Sequence, residues 1–98
     1  MNRDAIIGAL RAHEAELRHA GITSLVLFGS SARAENKTGS DIDLLAAFDE
    51  ARALSLLDIV HLENRLTDIL GRQVDLIEAS TLAPEVRSSA YRDALRAF

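Results

Sequence analysis

A chain of 98 residues has the length of one domain, and apolar and charged fractions of 48% and 27% sit near globular averages, which excludes disordered and fibrous classes. The formal net charge is −4, from 11 basic against 15 acidic residues, and this argues against direct nucleic-acid binding, because nucleic-acid-binding domains present a basic face. Cysteine is absent, so disulfides and thiolate metal sites are excluded.

Ile6, Ile7, Leu10 and Leu17 recur at helical spacing and predict an amphipathic helix over about Arg3–Ala20,. Asn2 or Asp4 can cap its start, and Gly21 fits its stop. The charges at Arg3, Asp4, Arg11, Glu14, Glu16 and Arg18 leave no continuous apolar stretch for a signal peptide. No apolar run approaches the ~20 residues that span a bilayer. A cytoplasmic protein without a membrane partner is expected. Ser24–Phe28 is a short apolar run that reads as a buried strand ending at Gly29,. Ser30–Ser40 is polar and reads as a loop, and Ile42–Phe48 is the second strand. Ser55-Leu56-Leu57-Asp58 matches a capping box,. It opens a helix with Leu56, Ile59, Leu62, Leu66 and Ile69 on one face, which Gly71 ends,. Val74–Ile77 is the third strand, and Pro84 suits the first turn of a last helix reaching about Ala97,. On that helix Val86, Leu95 and Phe98 either meet a partner or close the core. Strands alternating with helices indicate a small α/β sheet layered by helices.

The residues that carry chemistry lie in Phe28-Gly29-Ser30-Ser31-Ala32-Arg33-Ala34 and Ser40-Asp41-Ile42-Asp43-Leu44. Glycine at a strand end lets the backbone bend and a ligand approach closely. If a helical turn starts there, free N–H groups can cradle phosphate oxygens, with the Ser30 hydroxyl adding a donor. Arg33, one turn on, either contacts phosphate or pairs with Glu35. Asp41 and Asp43 alternate with Ile42 and Leu44, so both carboxylates share one face of the strand, roughly 7 Å apart along it. Such carboxylates can hold Mg²⁺ ions that also take phosphate oxygens. Asp75, on the next strand, reaches the same ions if the two strands are neighbours.

Gly29-Ser30, Asp41-x-Asp43 and the later strand residue Asp75 together resemble the DNA polymerase β-type nucleotidyltransferase superfamily, and the short length resembles its minimal nucleotidyltransferase (MNT) branch. Ala34 stands where that family commonly has glycine. The resemblance implies an α/β (α+β) fold, a minimal nucleotidyltransferase palm with a three- to four-stranded mixed sheet and helices packed on one side. It implies a single nucleotidyltransferase domain over residues 1–98. It also implies that Gly29 and Ser30 hold the triphosphate of ATP or another NTP, and that Asp41, Asp43 and Asp75 are catalytic and bind two Mg²⁺ ions. Asp75 then deprotonates or orients the acceptor hydroxyl. Short members of the branch are similar to the antitoxins of HEPN/MNT pairs, which implies AMP transfer to a tyrosine of a HEPN ribonuclease toxin. Two alternatives stand beside it: a non-catalytic antitoxin that inhibits the HEPN partner by binding alone, and a small-molecule adenylyltransferase.

Overall fold

In the computed structural model, which describes residues 2–28, 41–85, 88, 92 and 94–98, the N-terminal segment forms two helices, α1 (Arg3–Ala12) and α2 (Glu14–His19). The Asn2 side chain caps α1 by accepting a hydrogen bond from the Ala5 N–H at 2.8 Å. The continuous helix expected from Arg3 to Ala20 is broken at His13 (φ −107°, ψ 14°). There the ring Nδ1–H donates to the Ala9 carbonyl at 2.9 Å, while the backbone N–H turns to the Leu10 carbonyl at 3.2 Å. A side chain competing for a helix carbonyl and a tightened three-residue turn together interrupt the 3.6-residue repeat. Ile6 and Leu10 of α1 and Leu17 of α2 remain on one buried face.

Gly21 (φ +116°) turns the chain into β1 (Ile22–Leu27). β2 (Ile42–Phe48) is followed by a 3₁₀ turn at Glu50–Arg52, then by α3 (Leu56–Leu70) and β3 (Val74–Glu78). The capping box that opens α3 is complete. Ser55 Oγ accepts from the Asp58 N–H at 3.2 Å, and Asp58 Oδ2 accepts from the Ser55 N–H at 2.9 Å. The Ser55 hydroxyl also donates to Asp58 Oδ2 at 3.0 Å. The bond from the Ser55 N–H, together with that from its hydroxyl, holds the Asp58 carboxyl below the usual carboxylate range,. Gly71 ends α3 at φ 69°, in the left-handed region that favours glycine,. The buried stripe of α3 is Leu62, Leu66 and Leu70, with Ile59 and Ile69 partly covered. Leu56, expected on that stripe, is 78% exposed, because the helix meets the sheet only from its second turn onward.

The four strands are ordered β3-β2-β1-β4. β1 runs antiparallel to β2, and β3 lies parallel to β2 through the α3 crossover. β4 is the two-residue strand Leu95–Arg96, antiparallel to β1. This corrects the last helix: Pro84, Glu85, Ser88 and Arg92 have helical backbone, but the chain has left the helix before Leu95. The remaining positions of that helix, Val86 among them, lie outside the described residues. Two strand residues are too few for a periodicity signal, and tertiary contacts hold them. The Arg11 guanidinium donates to the carbonyls of Ala97 (2.8 Å) and Arg96 (3.2 Å). Phe98 is buried, with the Arg18 guanidinium 4.9 Å from its ring centroid. Phe98 and Leu95 therefore close this chain's own core.

The described helices α1, α2 and α3 cover one face of this mixed sheet, where Leu25, Leu27, Ile42, Leu44, Val74 and Leu76 meet Ile6, Leu10, Leu17, Leu62 and Leu66. β3 is tied to α3 as well as to β2. Thr67 Oγ1 accepts from the Val74 N–H at 3.2 Å, and Glu63 Oε2 accepts from the Leu76 N–H at 2.9 Å. Among the described residues no helix is long and apolar enough to cross a membrane.

Removing the Glu63 carboxylate leaves the Leu76 N–H without its acceptor. Glu63→Ala is expected to lower unfolding free energy by about 1–3 kcal/mol, measured by urea denaturation, and to speed hydrogen exchange at the Leu76 amide. Glu63→Gln, which keeps an acceptor oxygen, is expected to recover most of the loss.

Candidate active site

Alternation along β2 sends Ile42 and Leu44 into the helix-covered core, so Asp41, Asp43 and Leu45 face the other side of the sheet,. On β3 the same rule puts Asp75, between buried Val74 and Leu76, on that opposite face. The parallel register pairs Asp43 directly with Asp75 and Leu45 with Ile77. The two carboxylates therefore occupy neighbouring positions across one strand gap of about 4.8 Å. Asp41 stands two residues earlier on the same strand line. The strands are neighbours, as the three-acid expectation required.

The backbone also joins this row to β1. The Phe28 N–H donates to the Asp43 carbonyl at 3.2 Å, so the residue before Gly29 is held against Asp43. Gly29, Ser30 and Arg33 themselves lie outside the described residues. Beyond the acids the same face is apolar, with Val26, Leu45 and Ala79 buried together and Phe28, Ile77, Leu82 and Ala94 around them.

Partial burial pushes the Asp43 carboxyl above its usual range, and the negative charges of Asp75 and Asp41 push it further in the same direction,. Neither Asp43 nor Asp75 has a hydrogen bond or ion pair with an opposite charge among the described residues. Asp41 and Asp75 are exposed, whereas Asp43 is half-buried. Hard oxygen donors that repel one another are the donor chemistry of a divalent cation such as Mg²⁺. Among the described residues, no three acidic or imidazole side chains are drawn in far enough to surround an ion. The backbone thus brings Asp43 and Asp75 side by side and Asp41 next to them, without closing the three on one point.

Two residues that position this row have no motif in the sequence. Glu63 and Thr67 anchor β3 from α3, and hence fix the placement of Asp75. Their only local signal is the helical spacing of four that puts both on one face.

Residues 14–95 match the family model described as polymerase beta, nucleotidyltransferase. The chain belongs to this family. The nucleotidyltransferase is 37% identical over 91 residues to the protein adenylyltransferase MntA of Thermococcus cleftensis, an alignment covering 92% of this chain and 90% of the relative. A solved structure named as a minimal nucleotidyltransferase superposes with a TM-score of 0.82 at 34% identity, over 97% of this chain and 95% of the other. The fold is shared, at a TM-score of 0.66 and 17% identity, with a chain of the complex between the tri-AMPylated HEPN toxin of Shewanella oneidensis and its MNT antitoxin, over 94% of this chain and 71% of that one. The expected minimal nucleotidyltransferase palm is therefore the observed fold.

The raised carboxyl of Asp43 has a definite sign in stability. The folded nucleotidyltransferase holds that proton more tightly than the unfolded chain, whose value is near 3.8. The stabilisation is fully present below that pH and is lost as pH rises through the raised folded value. Asp43→Asn is accordingly expected to stabilise the metal-free protein at pH 7 by about 0.5 kcal/mol, from Coulomb's law in a solvent-screened setting. This raises Tm by about 2–4 °C. Thermal melts in EDTA check it, and the difference between the two proteins should vanish below the unfolded-state pKa.

Proposed function

We propose that this nucleotidyltransferase moves AMP from ATP to a tyrosine hydroxyl of a HEPN-domain ribonuclease toxin, acting in the cytoplasm as its antitoxin. The observation that carries the reading is the in-register pair of Asp43 and Asp75 with Asp41 beside it, on the sheet face opposite α1, α2 and α3 and next to the strand end that leads into Gly29-Ser30. The name of the Thermococcus cleftensis relative supports protein as the acceptor class, and the AMPylated HEPN toxin of the Shewanella oneidensis complex suggests which protein.

In this reading Asp41, Asp43 and Asp75 would hold two Mg²⁺ ions. When bound, the ions supply neutralisation of the phosphate oxygens and of the repulsion among the acids. Gly29 and Ser30 cradle the phosphate tail, with Arg33 as a further phosphate contact. Asp75, the more exposed member of the in-register pair, orients the acceptor hydroxyl and receives its proton. The acceptor oxygen forms its bond to the α-phosphorus as the bond from that phosphorus to the bridging oxygen breaks, and pyrophosphate leaves. The chain's work is chiefly positioning and charge balance.

Intact mass spectrometry of a HEPN partner encoded beside this chain, incubated with it, ATP and Mg²⁺, tests the reading. AMP increments are expected, and Asp41→Ala or Asp43→Ala should slow their appearance at least about 100-fold. Unchanged mass with tight, inhibitory binding would instead show an antitoxin that works by covering its partner. A second expectation concerns the metal alone. Mg²⁺ at tenfold its Kd should stabilise the wild-type fold by about 1.4 kcal/mol. EDTA should reverse this, and Asp43→Asn should blunt it.

A further inference from the structure

The acid-bearing face of the sheet continues past Asp43 to β1 and β4. Val26 pairs with Leu45 on β2 and with Arg96 on β4, so the side chains of Val26, Leu45 and Arg96 share the face that carries Asp43 and Asp75. A groove of about 440 Å³ opens there, lined among the described residues by Ser24, Val26, Ala94 and Arg96. That volume falls within the range of small-ligand sites. The groove wall at Val26 lies one strand and two residues from Asp43, about 8 Å away by standard strand spacings. Asp75 lies on the other flank of Asp43, so an acceptor brought to Asp75 leaves the groove open.

The lining has a definite chemistry. Val26 and Ala94 offer an aliphatic floor and Ser24 a hydroxyl. The exposed guanidinium of Arg96 has no ion pair or side-chain hydrogen bond among the described residues. A planar, delocalised cation stacks on aromatic faces, and an aliphatic floor favours a flat ring over a phosphate. With the α-phosphorus of a nucleotide above the Asp43–Asp75 pair, the groove sits at the reach of a nucleoside base from its 5′ phosphorus.

We propose that this groove is the subsite for the base of the nucleotide, a planar nitrogen heterocycle stacked between the Arg96 guanidinium and the Val26–Ala94 floor, with the Ser24 hydroxyl in reach of its edge. The assignment rests on the nucleotidyl-transfer reading above. It makes Arg96 a residue that holds the nucleoside end of the substrate while the acids hold the phosphate end.

Calorimetric titration of the whole chain with AMP-PNP and with inorganic tripolyphosphate, both with Mg²⁺, separates the two ends. Arg96→Ala should weaken AMP-PNP about 10-fold and leave tripolyphosphate unchanged within about twofold. Arg96→Lys keeps the charge but loses the plane, and it should also weaken AMP-PNP selectively. Thermal melts identify a misfolded variant, and if Arg96→Ala melts early, Arg96→Lys decides. Unchanged AMP-PNP affinity in both variants overturns the inference. An equal loss for both ligands overturns it too, because the guanidinium then serves phosphate rather than base. A wild-type chain that binds neither ligand overturns the nucleotidyl-transfer reading itself, an outcome distinct from failure of the subsite alone.

Discussion

The structure depends on the parallel register of β2 with β3. A shift of one residue would exchange the two faces of β3, burying Asp75 and exposing Val74 and Leu76. Several independent contacts oppose that shift. The Ile42 N–H donates to the Gln73 carbonyl at 2.9 Å. Ile42, Leu44, Val74 and Leu76 are all buried against the helices. The Ser55–Asp58 box and the left-handed Gly71 fix where α3 begins and ends, and so fix the phase in which the chain enters β3. Glu63 and Thr67 then grip two backbone N–H groups of the strand from the helix side. An apolar packing pattern, a pair of helix caps and two side-chain acceptors all specify the same pairing of Asp43 with Asp75.

The resulting sheet has two unlike faces. One is continuous aliphatic core. The other is apolar around Leu45 and acidic at the start of β2 and β3, where Asp43 is half-buried beside two like charges. An arrangement that raises the proton affinity of a carboxyl does nothing for the fold at neutral pH. It is the kind of local conflict that concentrates where a protein binds and reacts. The apolar remainder of that face lets the strands stay packed while one end stays charged.

Much of this was legible in the sequence because it is local. The alternation of acidic and apolar residues over Asp41–Leu44 put Asp41 and Asp43 on one face before any pairing was known. The Ser55 and Gly71 signals bounded α3 at the positions observed. The misses are non-local or concern single side chains. His13 interrupts the first helix through its own ring, which residue spacing cannot show. Leu56 lies on the right helical stripe but before the helix reaches the sheet. β4 exists because Arg11 and the burial of Phe98 hold a two-residue segment against β1, and its residues otherwise continue a helical pattern. That same segment hid Arg96, which only the pairing with Val26 places on the acid-bearing face. The in-register partnership of Asp43 and Asp75 required the crossover geometry, and Glu63 carries no motif at all.

The grip of Glu63 and Thr67 on β3 also limits how another polypeptide can approach. β3 is the outermost strand on the acid side, and its N–H groups at Val74 and Leu76 already have acceptors from α3. Among the described residues, both outward N–H groups that flank Asp75 are therefore taken, which opposes strand addition at that point of the edge. On the proposed reading, a chain that delivers a hydroxyl to these carboxylates approaches the sheet face that carries them, presenting a side chain rather than its backbone.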